Sequence, residues 1–178
     1  MIYLKYFLIF GFFGWIVENI WNIRDNEFRC SPYINLLSQK YCPIPFLPIY
    51  AFGGLIIVII VNNVKSRINR LLLYGLIFNI IEYIGGYIGE EYICKRVSTC
   101  AEGNKLWNYN DNPNIKGYID IKHTLMWFIL GFLGESIYIY IEKNKIDNKI
   151  IGIIIFILVL IITIYKKNII RAATSIQK

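Results

Sequence analysis

Apolar residues in this chain gather in long blocks, separated by short clusters of charge, Asn, Pro and Gly. Five blocks stand out, near residues 2–23, 43–62, 71–94, 121–141 and 149–166. A membrane-crossing helix takes roughly 20 mainly apolar residues, within a range of about 17–25. The first four blocks fit. The fifth holds an uncharged run from Ile150 to Tyr165, flanked by Lys149, Lys166 and Lys167, whose long stems can lift their charge to the interface. None of the blocks alternates as a strand would, and in lipid only helices and closed barrels satisfy every backbone N–H and C=O. The pattern predicts an all-α fold: a polytopic integral membrane helical bundle of about five transmembrane helices. No linker divides it, so residues 1–178 are read as a single transmembrane domain, multi-pass in the cell membrane. The first block lacks a small-x-small cleavage pattern and is read as a retained helix rather than a signal peptide.

The second block opens differently. "CPIPFLPIYAFGG" has prolines at 43, 45 and 48, which cannot sit in a regular helix interior. This predicts a broken or extended entry, with the helix starting near Pro48 or Ile49. Irregular backbone at that depth is tolerated only where protein or water surrounds it, and such breaks form binding sites in transporters.

Three blocks carry a stripe of small and polar residues at helical spacing, where positions three, four and seven apart share a face. In the first, Gly11, Gly14, Glu18 and Asn22 line up; in the third, Asn79, Glu82, Gly86 and Gly89 or Glu90. In the fourth, His123, Trp127, Gly131 and Gly134 with Glu135 do so. Glycines let helix backbones approach closely, so Gly11, Gly14, Gly53, Gly86, Gly131 and Gly134 are read as packing positions. A carboxylate facing acyl chains costs about 2.5–3.5 kcal/mol on insertion scales, so Glu18 and Glu82 should face inward onto a shared wet pocket. The fifth block has only Thr163 as a polar group and should face lipid at the edge.

The longest connection contains "WNYNDNPNIKG", residues 107–117, whose Asn, Asp and Pro favour a turn. Its Trp107 and Tyr109 suit the headgroup level and could roof a cavity floored by Glu82. The first connection suggests a short interfacial helix at "YINLLSQ". The substrate- or ion-binding candidates are therefore Glu18, Glu82, Asn79, Tyr50, Trp107, Tyr109, Asn114, His123 and Glu135.

Composition adds little to this frame. The net charge of +7 lies mostly in loops and at helix ends, which points to lipid headgroups rather than nucleic acid. Cys30, Cys42, Cys94 and Cys100 fall in or beside connections expected on one face. Disulfides on an oxidising side and four free thiols both fit that placement. The distribution of Lys and Arg argues for the opposite orientation, so the sequence leaves sidedness open. There is no C-x-x-C, the only histidine is His123, and no metal or cofactor is expected. The absence of H-E-x-x-H and G-x-S-x-G, with every Asp in a loop region, argues against an enzyme.

"FGFFGWIVE" (10–18), "PIYAFG" (48–53), "EYIGG" (82–86), "WNYNDNPNIKG" (107–117) and Trp127 occur in that order. Together they resemble the CmpB-like ABC-transporter type IV membrane proteins over roughly residues 6–140. One departure is Leu47, where that family usually has Cys before "PIY". The resemblance implies a membrane component of a transporter. No G-x-x-x-x-G-K-[ST] phosphate loop is present, so an ATPase would be a separate subunit, docked on the second or fourth connection. The other expected partners are the lipid bilayer, a second copy in a homo-oligomer, and an ion or small-molecule substrate. A non-transporting binding or regulatory membrane protein is the alternative, with the glutamates structural.

Overall fold

The computed structural model describes residues 2–21, 45–95, 107–109 and 113–176. Five α-helices dominate these residues: α1 (Ile2–Trp21), α2 (Pro48–Asn63), α3 (Arg67–Ile88), α4 (Ile121–Lys143) and α5 (Asn148–Ile176). α3 runs on into a wider π-helical segment, Gly89–Cys94. A two-stranded antiparallel hairpin, β1 (Asn114–Ile115) and β2 (Ile119–Asp120), precedes α4. The expected all-α bundle is thus present, and among the described residues this small ribbon is the only sheet. The helix suggested at "YINLLSQ", and Asn22, Cys30, Cys42 and Cys100, lie outside the described residues.

Among the described residues, four stretches are long and apolar enough to cross a membrane: Ile2–Trp21, Arg67–Tyr92, Ile121–Lys143 and Asn148–Asn168. α2 is shorter, at 16 residues. It rises about 24 Å, short of a hydrocarbon core of about 30 Å. The prolines explain this. Residues 45–47 are non-helical, and the helix begins at Pro48, where the missing N–H costs nothing.

The chain forms two compact units. The first comprises Met1–Leu55 with Ile141–Lys178; the second is Ile56–Tyr140. In the first unit α1 packs against α5. Trp15, Ile16 and Leu47 form a buried cluster, with Tyr50, Val159 and Ile162 packed on it. The entry to α2 is pinned by the Leu47 N–H donating to the Gly11 carbonyl at 2.9 Å. Phe46 lies over Gly11, Tyr50 over Gly14, and Phe10 over Gly54. Gly54, next to the expected Gly53, is thus a glycine beneath an aromatic ring on α2. Residues 148–168 of α5 are mostly uncovered by protein, with Ile151 and Lys166 as the buried positions. Lys166, read from sequence as able to reach the interface, is 1% exposed.

In the second unit Ser66 caps α3, its hydroxyl accepting from the Asn69 N–H. The β-hairpin turns at Lys116 (φ 54°) and Gly117 (φ 73°), both left-handed, with the Tyr118 N–H returning to the Ile115 carbonyl at 3.0 Å. Two successive left-handed residues give the twist that antiparallel strands prefer. Asn114 secures the turn by accepting from the Gly117 N–H at 3.0 Å.

Candidate functional site

From α3 into the π-helical segment, Arg70, Tyr74, Phe78, Glu82, Gly86 and Glu90 recur every four positions and form a ridge that winds slowly round the helix. α4 supplies partners along this ridge. Arg70 meets Glu135, Tyr74 lies over Gly131, Asn79 meets Thr124, and Glu82 meets Trp127. Gly86 and Glu90 meet Tyr118 of the hairpin. A methyl group on Gly131 would come 2.5 Å from Tyr74 Cβ, so only glycine lets the helices close here. The seam carries acids at three levels, and their surroundings differ.

At the start of α3, Glu135 is 1% exposed and held by a fixed cation. Arg70 donates Nη2 to Oε1 at 2.7 Å and Nε to Oε2 at 2.9 Å, the two-pronged geometry that guanidinium and carboxylate share. Tyr74 donates to Oε2 at 2.8 Å. Arg70 also donates Nη1 to the carbonyls of Val64 and Lys65, satisfying groups near the turn between α2 and α3. In the middle, Asn79 donates to the Gly75 carbonyl at 2.6 Å and accepts from the Thr124 hydroxyl at 2.7 Å.

About 18 Å along the axis from Arg70, at 1.5 Å per residue, Glu82 is 4% exposed. Its Oε1 accepts from the Tyr109 hydroxyl at 2.7 Å, and its Oε2 from the Trp127 indole N–H. Both donors are neutral. The His123 ring stacks on Tyr109 with centroids 3.7 Å apart and planes 11° from parallel. Asp120, just before α4, caps the helix: its Oδ1 accepts from the His123 backbone N–H at 2.7 Å and lies 2.8 Å from His123 Nδ1. The other oxygen, Oδ2, is buried and makes no hydrogen bond. Phe78 packs edge-on to Trp127 at 5.5 Å. Among the described residues, no cluster of three or more His, Cys, Asp or Glu side chains could hold a metal ion.

Tyr118 closes the far end. It is 3% exposed, donates to Glu90, and packs edge-on against Tyr83 at 5.5 Å. Burial, and then the Glu90 carboxylate, push its phenol above the ordinary tyrosine range, so it stays a neutral donor. The Trp107 indole N–H donates to the Tyr118 carbonyl at 3.0 Å. Beyond the wide turn, the hydrogen bond from Lys95 to Glu91 raises the lysine's affinity for its proton. Cys94 is 4% exposed and disulfide-bonded, and its partner lies outside the described residues. Of the two readings the sequence left open, the disulfide is the one realised at this cysteine.

Of the candidates read from sequence, Glu82, Tyr109 and His123 come together. Asn79 sits one turn further down, and Trp107 braces the same segment as Tyr109. Asn114 serves its own turn, and Glu135 is committed to Arg70. Glu18 belongs to the first unit, where Tyr50 donates to its Oε1 at 2.6 Å. Glu18 and Glu82 thus have separate partner sets in separate units. Also in the first unit, Tyr6 and Lys5 hold Glu142 at 2.5 and 3.3 Å. Sequence reasoning missed Asp120, Arg70 and the donor role of Trp127. Asp three residues before His at a helix start is a capping signal, and Arg70 continues the four-residue stripe of Glu82.

A family model described as "Putative ABC-transporter type IV" matches residues 5–166. No curated protein and no solved structure matches the chain.

Proposed function

Since the chain belongs to the ABC-transporter type IV family, we propose that it is the membrane-embedded component of a transport system, with Glu82 as the working acid. In this reading it is a multi-pass protein of the cell membrane, is not itself an enzyme, and works with an ATPase on a separate chain. The observation that carries it is the state of Glu82: a buried carboxylate whose partners are two neutral donors. A buried charge in hydrocarbon is costly unless something compensates it. Among the described residues no cationic side chain donates to Glu82, so the remaining compensating charge is left to a ligand. Tyr109 is the group placed to respond, because it joins Glu82 from a connecting segment rather than from a helix.

Two features, one at each end of α3 and its π-helical continuation, support a sidedness for this reading. A disulfide at Cys94 supports an oxidising compartment at that end. Lys65, Arg67 and Arg70, with no acid in 64–70, support a cytoplasmic placement for the other. The ATPase would then dock at the turn before α3.

Uptake into proteoliposomes, or into cells carrying the whole system, tests the role. Glu82→Gln should abolish transport while the protein still assembles in the membrane; normal transport by that variant sinks the reading. A second reading, a binding or regulatory protein without a transport cycle, is favoured by the fact that both Glu82 oxygens are already bonded. It requires Glu82→Gln to lower thermal stability strongly and to leave every ligand response unchanged.

A further inference from the structure

Three titratable groups share the layer around Glu82. Tyr109 reaches it from the 107–109 segment, while Asp120 from β2 and His123 from α4 both act on it electrostatically. If His123 is protonated and both acids are ionised, the set of Glu82, Asp120 and His123 carries one net negative charge. In a layer this buried, one further proton restores neutrality. Asp120 Oδ1 and His123 Nδ1 lie 2.8 Å apart, so in that charge state the two compensate each other and Glu82 is the group that needs the proton.

The hydrogen bonds say where that proton would go. An indole N–H can only donate, so the Glu82 oxygen facing Trp127 must remain an acceptor. A phenol can donate or accept, so the oxygen facing Tyr109 is free to become an O–H. The two oxygens of Glu82 are therefore not equivalent. One is fixed in role, and the other is reversible through rotation of a single hydroxyl. Buried Asp120 Oδ2, which makes no hydrogen bond, supplies a second proton acceptor in the same layer.

We propose that Glu82 is a proton-binding site, taking one proton on Oε1 as the Tyr109 hydroxyl turns from donor to acceptor, with the Asp120–His123 pair as its exchange partner. On release, the Glu82 O–H bond breaks and the proton passes to the Asp120–His123 pair. Glu82 is left as a carboxylate again bonded by Tyr109 and Trp127, and no oxidant or co-reactant is needed. This deepens the reading of Glu82 as the working acid and rests on it, but its test needs neither cargo nor ATPase.

The test is infrared difference spectroscopy of the full chain in lipid nanodiscs across a pH series, read at the carbonyl band of protonated carboxyl groups. One titrating band is expected, lost in Glu82→Gln. Its midpoint should move in Asp120→Asn and in His123→Ala, and stay put in Lys95→Ala. Sodium or potassium chloride should leave the midpoint unchanged. A wild-type chain without such a band, or a band that survives Glu82→Gln, overturns the proposal. A band that sodium or potassium displaces with saturation also overturns it, in favour of an inorganic-cation site. If Glu82→Gln does not fold, Trp127 decides the matter in the otherwise native chain. The fluorescence difference between wild type and Trp127→Phe should titrate with the same midpoint, and a pH-independent difference counts against the proposal. A proton site without transport keeps this inference and removes the transport reading; transport without a titrating band does the reverse.

Discussion

Glu135 and Glu82 are two buried acids on one helix seam, solved in opposite ways. Glu135 has a permanent counter-charge, doubly bonded by Arg70, with Tyr74 and the carbonyls of Val64 and Lys65 completing the network. Glu82 has hydrogen bonds of similar number but no cation delivering them. The first arrangement is closed, because every charge has its opposite within the protein. The second is open to one more positive charge from outside. The same residue type in the same kind of seam thus makes a fastening at one level and a candidate site at another. What separates the two roles is the partner's charge, not burial: the acids are 1% and 4% exposed.

That contrast can be broken from either side. The largest effect is expected from Arg70→Met, which strands the Glu135 charge. Loss of one partner of a buried pair costs about 3–5 kcal/mol, read as a fall in the unfolding midpoint in mild detergent. Adding Glu135→Leu to it should recover most of the loss, because an apolar pair of similar size replaces a buried ion pair at little cost. If the single variant is as stable as wild type, Glu135 is not fastened as described. Next, Gly131→Val drives a side chain into Tyr74 and should cost about 1–3 kcal/mol, from overpacking of the seam between the two acids. Glu82→Gln should cost about 1 kcal/mol or less, since an amide oxygen still accepts from Trp127 and only the Tyr109 bond must rearrange. A loss as large as that of Arg70→Met would make Glu82 a second fastening. The smallest effect belongs to the exposed Lys95–Glu91 pair: Lys95→Ala should leave the unfolding midpoint unchanged within error.

The sequence made part of this arrangement legible. Prolines 43, 45 and 48 predicted where α2 could begin, because the missing N–H and fixed φ act locally. Stripes at four-residue spacing predicted which faces of α3 and α4 turn to protein. The ion pair was not legible, because Arg70 and Glu135 are 65 residues apart and only the relative register of two helices joins them. The burial of Lys166 runs against the general tendency of long cations at helix ends to stay exposed. The role of Asp120 was hidden for another reason. Its capping bond is a local signal, but the burial of its second oxygen depends on the tertiary packing around the start of α4.

The widened turn at Gly89–Cys94 has a genetic corollary. The segment continues α3 at its C-terminal end, and π-helical winding holds a surplus residue relative to α-helical winding. Deleting a single codon within it should therefore be tolerated by α3 as a return to ordinary pitch, whereas a deletion between Tyr74 and Glu82 would rotate one acid off the seam. A scan of one-codon deletions along α3, scored by membrane accumulation, should show a permissive window confined to that stretch.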